Sequence, residues 1–270
     1  MTNTNTPDRR ALILNSLLAY LLGAAITILL HEMVHWLTGA ALGYRSTMYA
    51  YGVTHHPAEL PPLVTAATSF SAVLGSIVIG GVMAAWRPRE RRGGFAHLLW
   101  LWVGFTSILE GVTYLIITPM GVGDTAVTAA ALELPMWVQL LICAVGVAGM
   151  FGTARLFAPH LDRITGADRP ARLAATIWPW LLAIPFLVAQ TVSSFFIQTM
   201  PIGPEVMIVM VMAMLAIGTF APMSMMFPKV TAPDRTPMGN LRPWPIAGIV
   251  GYVAVLILHF VIRNGVSIGG

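Results

Sequence analysis

Long apolar stretches separated by short polar connections occupy about residues 11 to 38, 62 to 86, 95 to 118, 136 to 157, 173 to 199, 205 to 227 and 244 to 262. Each is close to or above the roughly 20 residues a helix needs to cross hydrocarbon. Lipid offers no partner for a free backbone amide, so each stretch has to bond within itself. The pattern therefore predicts an all-α, polytopic integral membrane bundle of about seven transmembrane helices. No run of short alternating strands suggests a membrane barrel. One helix is expected to break near residues 119–124, where Thr118-Pro119-Met120-Gly121-Val122-Gly123 combines proline with two glycines. The first stretch is too long, and too polar at its end, to read as a cleaved signal peptide, and is expected to remain in place.

Composition agrees with this class: 57% of residues are hydrophobic, 10% are charged and the mean hydropathy is +0.77. The basic residues fall into alternate connections. One side holds Arg9, Arg10, Arg87, Arg89, Arg91, Arg92, Arg155, Arg163, Arg169, Arg172, Lys229, Arg235 and Arg242, and the other only Arg45 and Arg263. The positive-inside rule then predicts a cytoplasmic N-terminus and an outer C-terminus. The basic pI of about 9.6 follows from this topology. A basic face with interleaved stacking aromatics, which nucleic-acid binding would need, is absent. Cys143 is alone, so no disulfide forms within the chain. A charged stretch from His160 to Arg172 divides the chain into a core of residues 1–158 and an accessory three-helix region of residues 159–270.

Chemistry enters near the end of the first apolar stretch, where His31-Glu32-Met33-Val34-His35 spells H-E-x-x-H. Histidines four apart stand on one helical face and can share one metal ion, and Glu32 lies beside them, within reach of a water on that ion. Zinc makes such a water acidic, and a carboxylate can take its proton and pass it on to a leaving amine. An ionisable trio at membrane depth is costly and points to function. The competing reading is a network of two histidines and a glutamate satisfying one another between helices.

A hydrolytic zinc site wants a third protein ligand and an open position. The available acids are Glu59, Asp124, Glu133 and Glu205 near the outer side and Glu110 inside the third stretch. Asp124 follows the expected helix break, which can return the backbone to the level of His31 and His35, and is the favoured ligand. Glu110 lies deeper and suits a supporting or proton-relay role, with direct ligation as the alternative. His55 and His56, being adjacent, point in different directions and are read as loop histidines.

With these residues the chain resembles the site-2 protease family of intramembrane zinc metalloproteases. That family pairs H-E-x-x-H on its first core helix with a later helix-breaking stretch, N-x-x-P-x-x-x-x-D-G, and the resemblance covers roughly residues 11 to 157. The Pro119 to Asp124 spacing fits, while Ile116 stands where asparagine is usual and Thr125 where glycine is usual. The resemblance implies Zn2+ held by His31, His35 and Asp124, Glu32 as catalytic base, and a transmembrane protein as substrate. The alternative is a metal-binding membrane transporter or sensor that hydrolyses nothing.

Three further patterns bear on the site. Residues 44–53 are aromatic and β-favouring, which fits a hairpin lying against the membrane or an ordinary interfacial loop. Gln190, Ser194 and Gln198 stand at four-residue spacing on the fifth stretch, and His259 lies in the outer half of the seventh, consistent with an outward-facing polar cavity. The methionines concentrated in the sixth stretch read as packing or lipid contact.

Overall fold

A computed structural model describes residues 8–86, 93–197, 199, 204–227 and 236–269. Arg87, Arg89, Arg91, Arg92, Gln198, Lys229 and Arg235 lie outside these residues, as does the side chain of Glu205. The element order is α1 (Arg9–Ala41), β1 (Arg45–Tyr49), β2 (Gly52–His56), α2 (Pro62–Ala85), α3 (Gly94–Ile117), α4 (Asp124–Ala131), α5 (Met136–Thr165), α6 (Arg169–Ala175), α7 (Ile177–Ile197), α8 (Pro204–Ala216), α9 (Phe220–Met223), α10 (Ile246–Val261) and β3 (Val266–Ile268). Among the described residues 7 helical segments are long and apolar enough to cross a membrane, with α6 and α7 forming one and α8 and α9 another. The chain is a multi-pass membrane protein built as an all-α bundle.

Helices α1 and α3 form the centre. Helix α1 packs against α2, α3, α6, α7 and α10, and α3 against α2 and α5. Aromatic side chains knit the middle: Tyr20 stacks on Trp102 at 4.6 Å, and Phe105, Phe157 and Phe220 close round Trp102. In this apolar setting the indole N–H of Trp102 donates to Ser16 Oγ at 2.9 Å, and Ser16 donates on to the Ala175 carbonyl at 2.8 Å. One buried cluster joins residues from α1 and α3 with residues from α7 and α10.

The charged stretch at residues 160–172 is not an open connector. Helix α5 runs through it to Thr165, because Asp162 faces inward and pairs with the equally buried Arg172 of α6. Paired in this way, the two charges can sit inside the bundle.

Helices α2 and α3 come together through glycine. A Cβ on Gly111 would stand 2.6 Å from the Val73 carbonyl and 2.6 Å from Ile77 Cγ1, and one on Gly80 would stand 2.6 Å from the Ile108 amide. This close approach sets the level of Ser76 on α2 against Glu110 on α3.

Residues 44–53 do contain a hairpin, and it extends further than expected. β1 and β2 pair antiparallel from Arg45↔His56 to Tyr49↔Gly52, so His55 and His56 stand on a strand rather than in a loop. β3, from the end of the chain, pairs on the other side of β1, giving the order β2-β1-β3. This pairing checks the crossing number independently. The hairpin follows the first span and β3 follows the seventh, and the six spans between them return the chain to the same face.

Candidate metal centre

Four elements meet at the end of the cavity where α1 approaches the sheet. His31 and His35 project from one face of α1, as four-residue spacing requires. Asp124 arrives by the expected break. Helix α3 ends in a tight turn over Thr118–Met120, Gly121 and Gly123 take φ values of 75° and 82°, and Asp124 opens α4. Glycine is needed at both points, since a side chain strains at such angles. The turn is then tied down by Thr118 Oγ1 donating to Thr125 Oγ1 at 2.7 Å and Thr125 Oγ1 donating to the Tyr114 carbonyl at 2.5 Å. Thr125 thus clamps the break.

The three candidate ligand atoms converge. His31 Nε2 lies 2.8 Å from Asp124 Oδ2, His35 Nε2 lies 3.2 Å from the same oxygen, and the two Nε2 atoms are 3.1 Å apart. The opposite nitrogens decide what these atoms carry. His35 Nδ1 is 2.8 Å from the Thr68 carbonyl, which can only accept, so Nδ1 holds the hydrogen. Ser76 Oγ donates to Glu110 Oε2 at 2.8 Å and so accepts from His31 Nδ1 at 3.2 Å. In neutral imidazoles both Nε2 atoms then carry lone pairs that face a carboxylate, an arrangement that calls for a cation among them, whereas in the imidazolium form each Nε2–H donates to Asp124 Oδ2 and the three close as a histidine–carboxylate network. Tetrahedral ligands at zinc distances lie about 3.3 Å apart, close to these separations. The donor set therefore fits Zn2+, and His31, His35 and Asp124 could hold it.

Glu110 stands behind His31, with Oε2 3.6 Å from Nδ1, and its Oε1 is buried with no hydrogen-bond partner. The structure brings Asp124 to the Nε2 atoms and keeps Glu110 on the far side of the ring. Glu32 lines the same cavity as the triad, which encloses about 630 Å³. His55 lines this cavity too. Its Nδ1 is 2.8 Å from Ser46 Oγ, and burial, with His35 and His56 near by, holds its imidazole below the ordinary histidine value. His56, Glu59 and Glu133 are exposed and away from the convergence.

Three contributors escaped sequence reading. Ser76 is one hydroxyl among several on α2. The Thr68 carbonyl belongs to the main chain and leaves no trace in side-chain type. Tyr114 lies flat against His31, with ring centroids 5.1 Å apart and an 11° angle between planes. Its position one helical turn from Glu110 is the only signal that could have marked it. Comparison with protein-family models, curated proteins and solved structures finds no match.

Proposed function

We propose that this chain is an intramembrane zinc metalloprotease that hydrolyses peptide bonds in or near transmembrane segments of other proteins. The observation that carries this reading is the convergence of two imidazole nitrogens and a carboxylate oxygen, with Glu32 on the wall of the same cavity. The likeness of H-E-x-x-H and the Pro119 to Asp124 spacing to the site-2 protease family supports it from the side of sequence.

When bound, zinc lowers the pKa of a water molecule and polarises the carbonyl under attack. His31 and His35 keep their lone pairs aimed at the ion because Ser76 and the Thr68 carbonyl hold their other nitrogens. Glu32 takes the proton of the attacking water on its carboxylate and returns it to the leaving amine nitrogen. Gly52 and Val53 of β2 line the cavity, and β2 is an outer strand of the sheet whose far edge no described strand covers. Its free main-chain groups can hold an unwound substrate segment as an added strand. The N-terminus is cytoplasmic in this reading and the site opens toward the outer face, which access of trypsin to Arg45 from that face tests.

The deciding experiment measures zinc by elemental mass spectrometry together with cleavage of a single-pass membrane reporter. Wild type is expected to carry about one zinc per chain. His31→Ala and Asp124→Ala should lose the metal and the cleavage, whereas Glu32→Gln should keep the metal and lose only cleavage. Retained cleavage in Glu32→Gln would overturn the proposal. Metal bound without any cleavage by wild type would favour the transporter or sensor reading.

A further inference from the structure

Helices α7 and α10 face one another without packing closely, and a second cavity of about 390 Å³ lies between them. Lone gaps in a membrane bundle are normally closed by apolar side chains or by lipid. This one has polar groups in both walls at helical spacing. Gln190 and Ser194 stand one turn apart on α7, while His259 near the end of α10 and Arg263 in the tight turn that follows it stand four residues apart.

The polar groups form a chain with one direction. Tyr252 Oη donates to Gln190 Oε1 at 2.7 Å, and Gln190 Nε2 donates to Tyr51 Oη at 2.6 Å. Tyr51 spends its single hydrogen on His259 Nδ1 at 3.4 Å. His259 then carries its remaining hydrogen on Nε2, which is buried with no hydrogen-bond partner, in a side chain only 7% exposed. Arg263 lies four residues on in the same wall. Its guanidinium rests on the Phe260 ring at 3.8 Å and has no acidic partner among the described residues. An unpaired buried N–H is costly, and a cation beside an apolar gap with no counter-charge adds to that cost. The unpartnered polar nitrogen and the cation in this wall are therefore both donors, and no carboxylate lines the cavity. The rest of its wall is aromatic and aliphatic, with Phe186, Leu256 and Ile197 along its length.

We infer that this cavity binds a single-chain amphiphile with an acidic head, the carboxylate or phosphate oxygens being taken by Arg263 and His259 and the alkyl chain lying between α7 and α10. Tyr51 lines this cavity and the metal cavity alike, so an occupant touches a wall that the two spaces share. The inference does not depend on proteolysis.

The test uses the full chain in neutral detergent and radiolabelled oleate as probe. Binding should saturate at about one per chain, since the groove has room for one alkyl chain. Oleoyl lysophosphatidate should compete and monooleoylglycerol should not. The relative strength of the two acids would identify whether carboxylate or phosphate is preferred. Arg263→Gln should weaken oleate about 10-fold, and Arg263→Lys should recover most of the loss. His259→Phe, which fills the cavity, should abolish binding while leaving zinc content unchanged. Non-saturating uptake, equal competition by monooleoylglycerol, or undiminished binding by a folded Arg263→Gln would overturn the inference.

Discussion

At the scale of single residues, the candidate metal centre is governed by hydrogens held away from it. His31 and His35 aim their Nε2 atoms at Asp124 because Ser76 Oγ and the Thr68 carbonyl hold their other nitrogens, so that the neutral rings offer lone pairs there. Removing such a support commonly weakens metal binding by about 10- to 100-fold. Ser76→Ala is accordingly expected to lower zinc affinity about 10-fold, measured by competition with a chromophoric chelator, because the His31 ring loses its acceptor and its link to Glu110. Unchanged affinity would show that packing against Tyr114 alone orients the ring. His31, Glu32 and His35 were legible in the sequence because their geometry is local, set by the pitch of one helix. Asp124 was legible at one remove, through the proline and glycines that turn the chain before it. Ser76 and Tyr114 were not, since their roles arise from how α2 and α3 are placed against α1, and no spacing along the chain encodes that.

At the scale of elements, the placement of α2 against α3 is the controlling variable. The two helices meet where Gly80 and Gly111 leave no room for a Cβ. Gly111→Ala should force them apart, costing about 1–3 kcal/mol as overpacking does. Because Ser76 and Glu110 sit across that contact, the same variant should lose zinc affinity along with stability. Gly81→Ala is the control, with nothing within 4 Å of the added carbon. Thermal unfolding and zinc titration of both variants check this, and equal behaviour would refute the role given to the close contact. The seven apolar stretches were readable because lipid dictates both their length and their internal bonding. Their ends were less so. Helix α5 continues into a charged stretch because Asp162 and Arg172 satisfy one another inside the protein, and a pairing between helices cannot be seen in either helix alone.

At the scale of the whole molecule, the sheet ties together segments more than 200 positions apart. Thr47 Oγ1 and Ser267 Oγ lie 2.8 Å apart, and β3 bonds β1 along the edge opposite the cavity. No sequence signal announced this, since a three-residue strand at the end of a chain has no pattern of its own. Chain shortened to end at Gly265 should keep its zinc, because all three ligand residues lie elsewhere, and should lose the hydrogen bonds that pin β1, each worth about 1 kcal/mol. Trypsin added to the outer face of sealed vesicles is then expected to cut at Arg45 much faster than in the full chain. Cutting only from the cytoplasmic face would reverse the proposed orientation, and equal rates in both chains would remove β3 as the pin.

The wide separation of β1 and β3 also has a meaning in time. A ribosome delivers the chain from its N-terminus, so His31, His35 and Asp124 are in the membrane before α7 and α10 have been made. The candidate metal centre can therefore be complete early, while the hairpin beside it waits more than 200 positions for β3 to close the sheet.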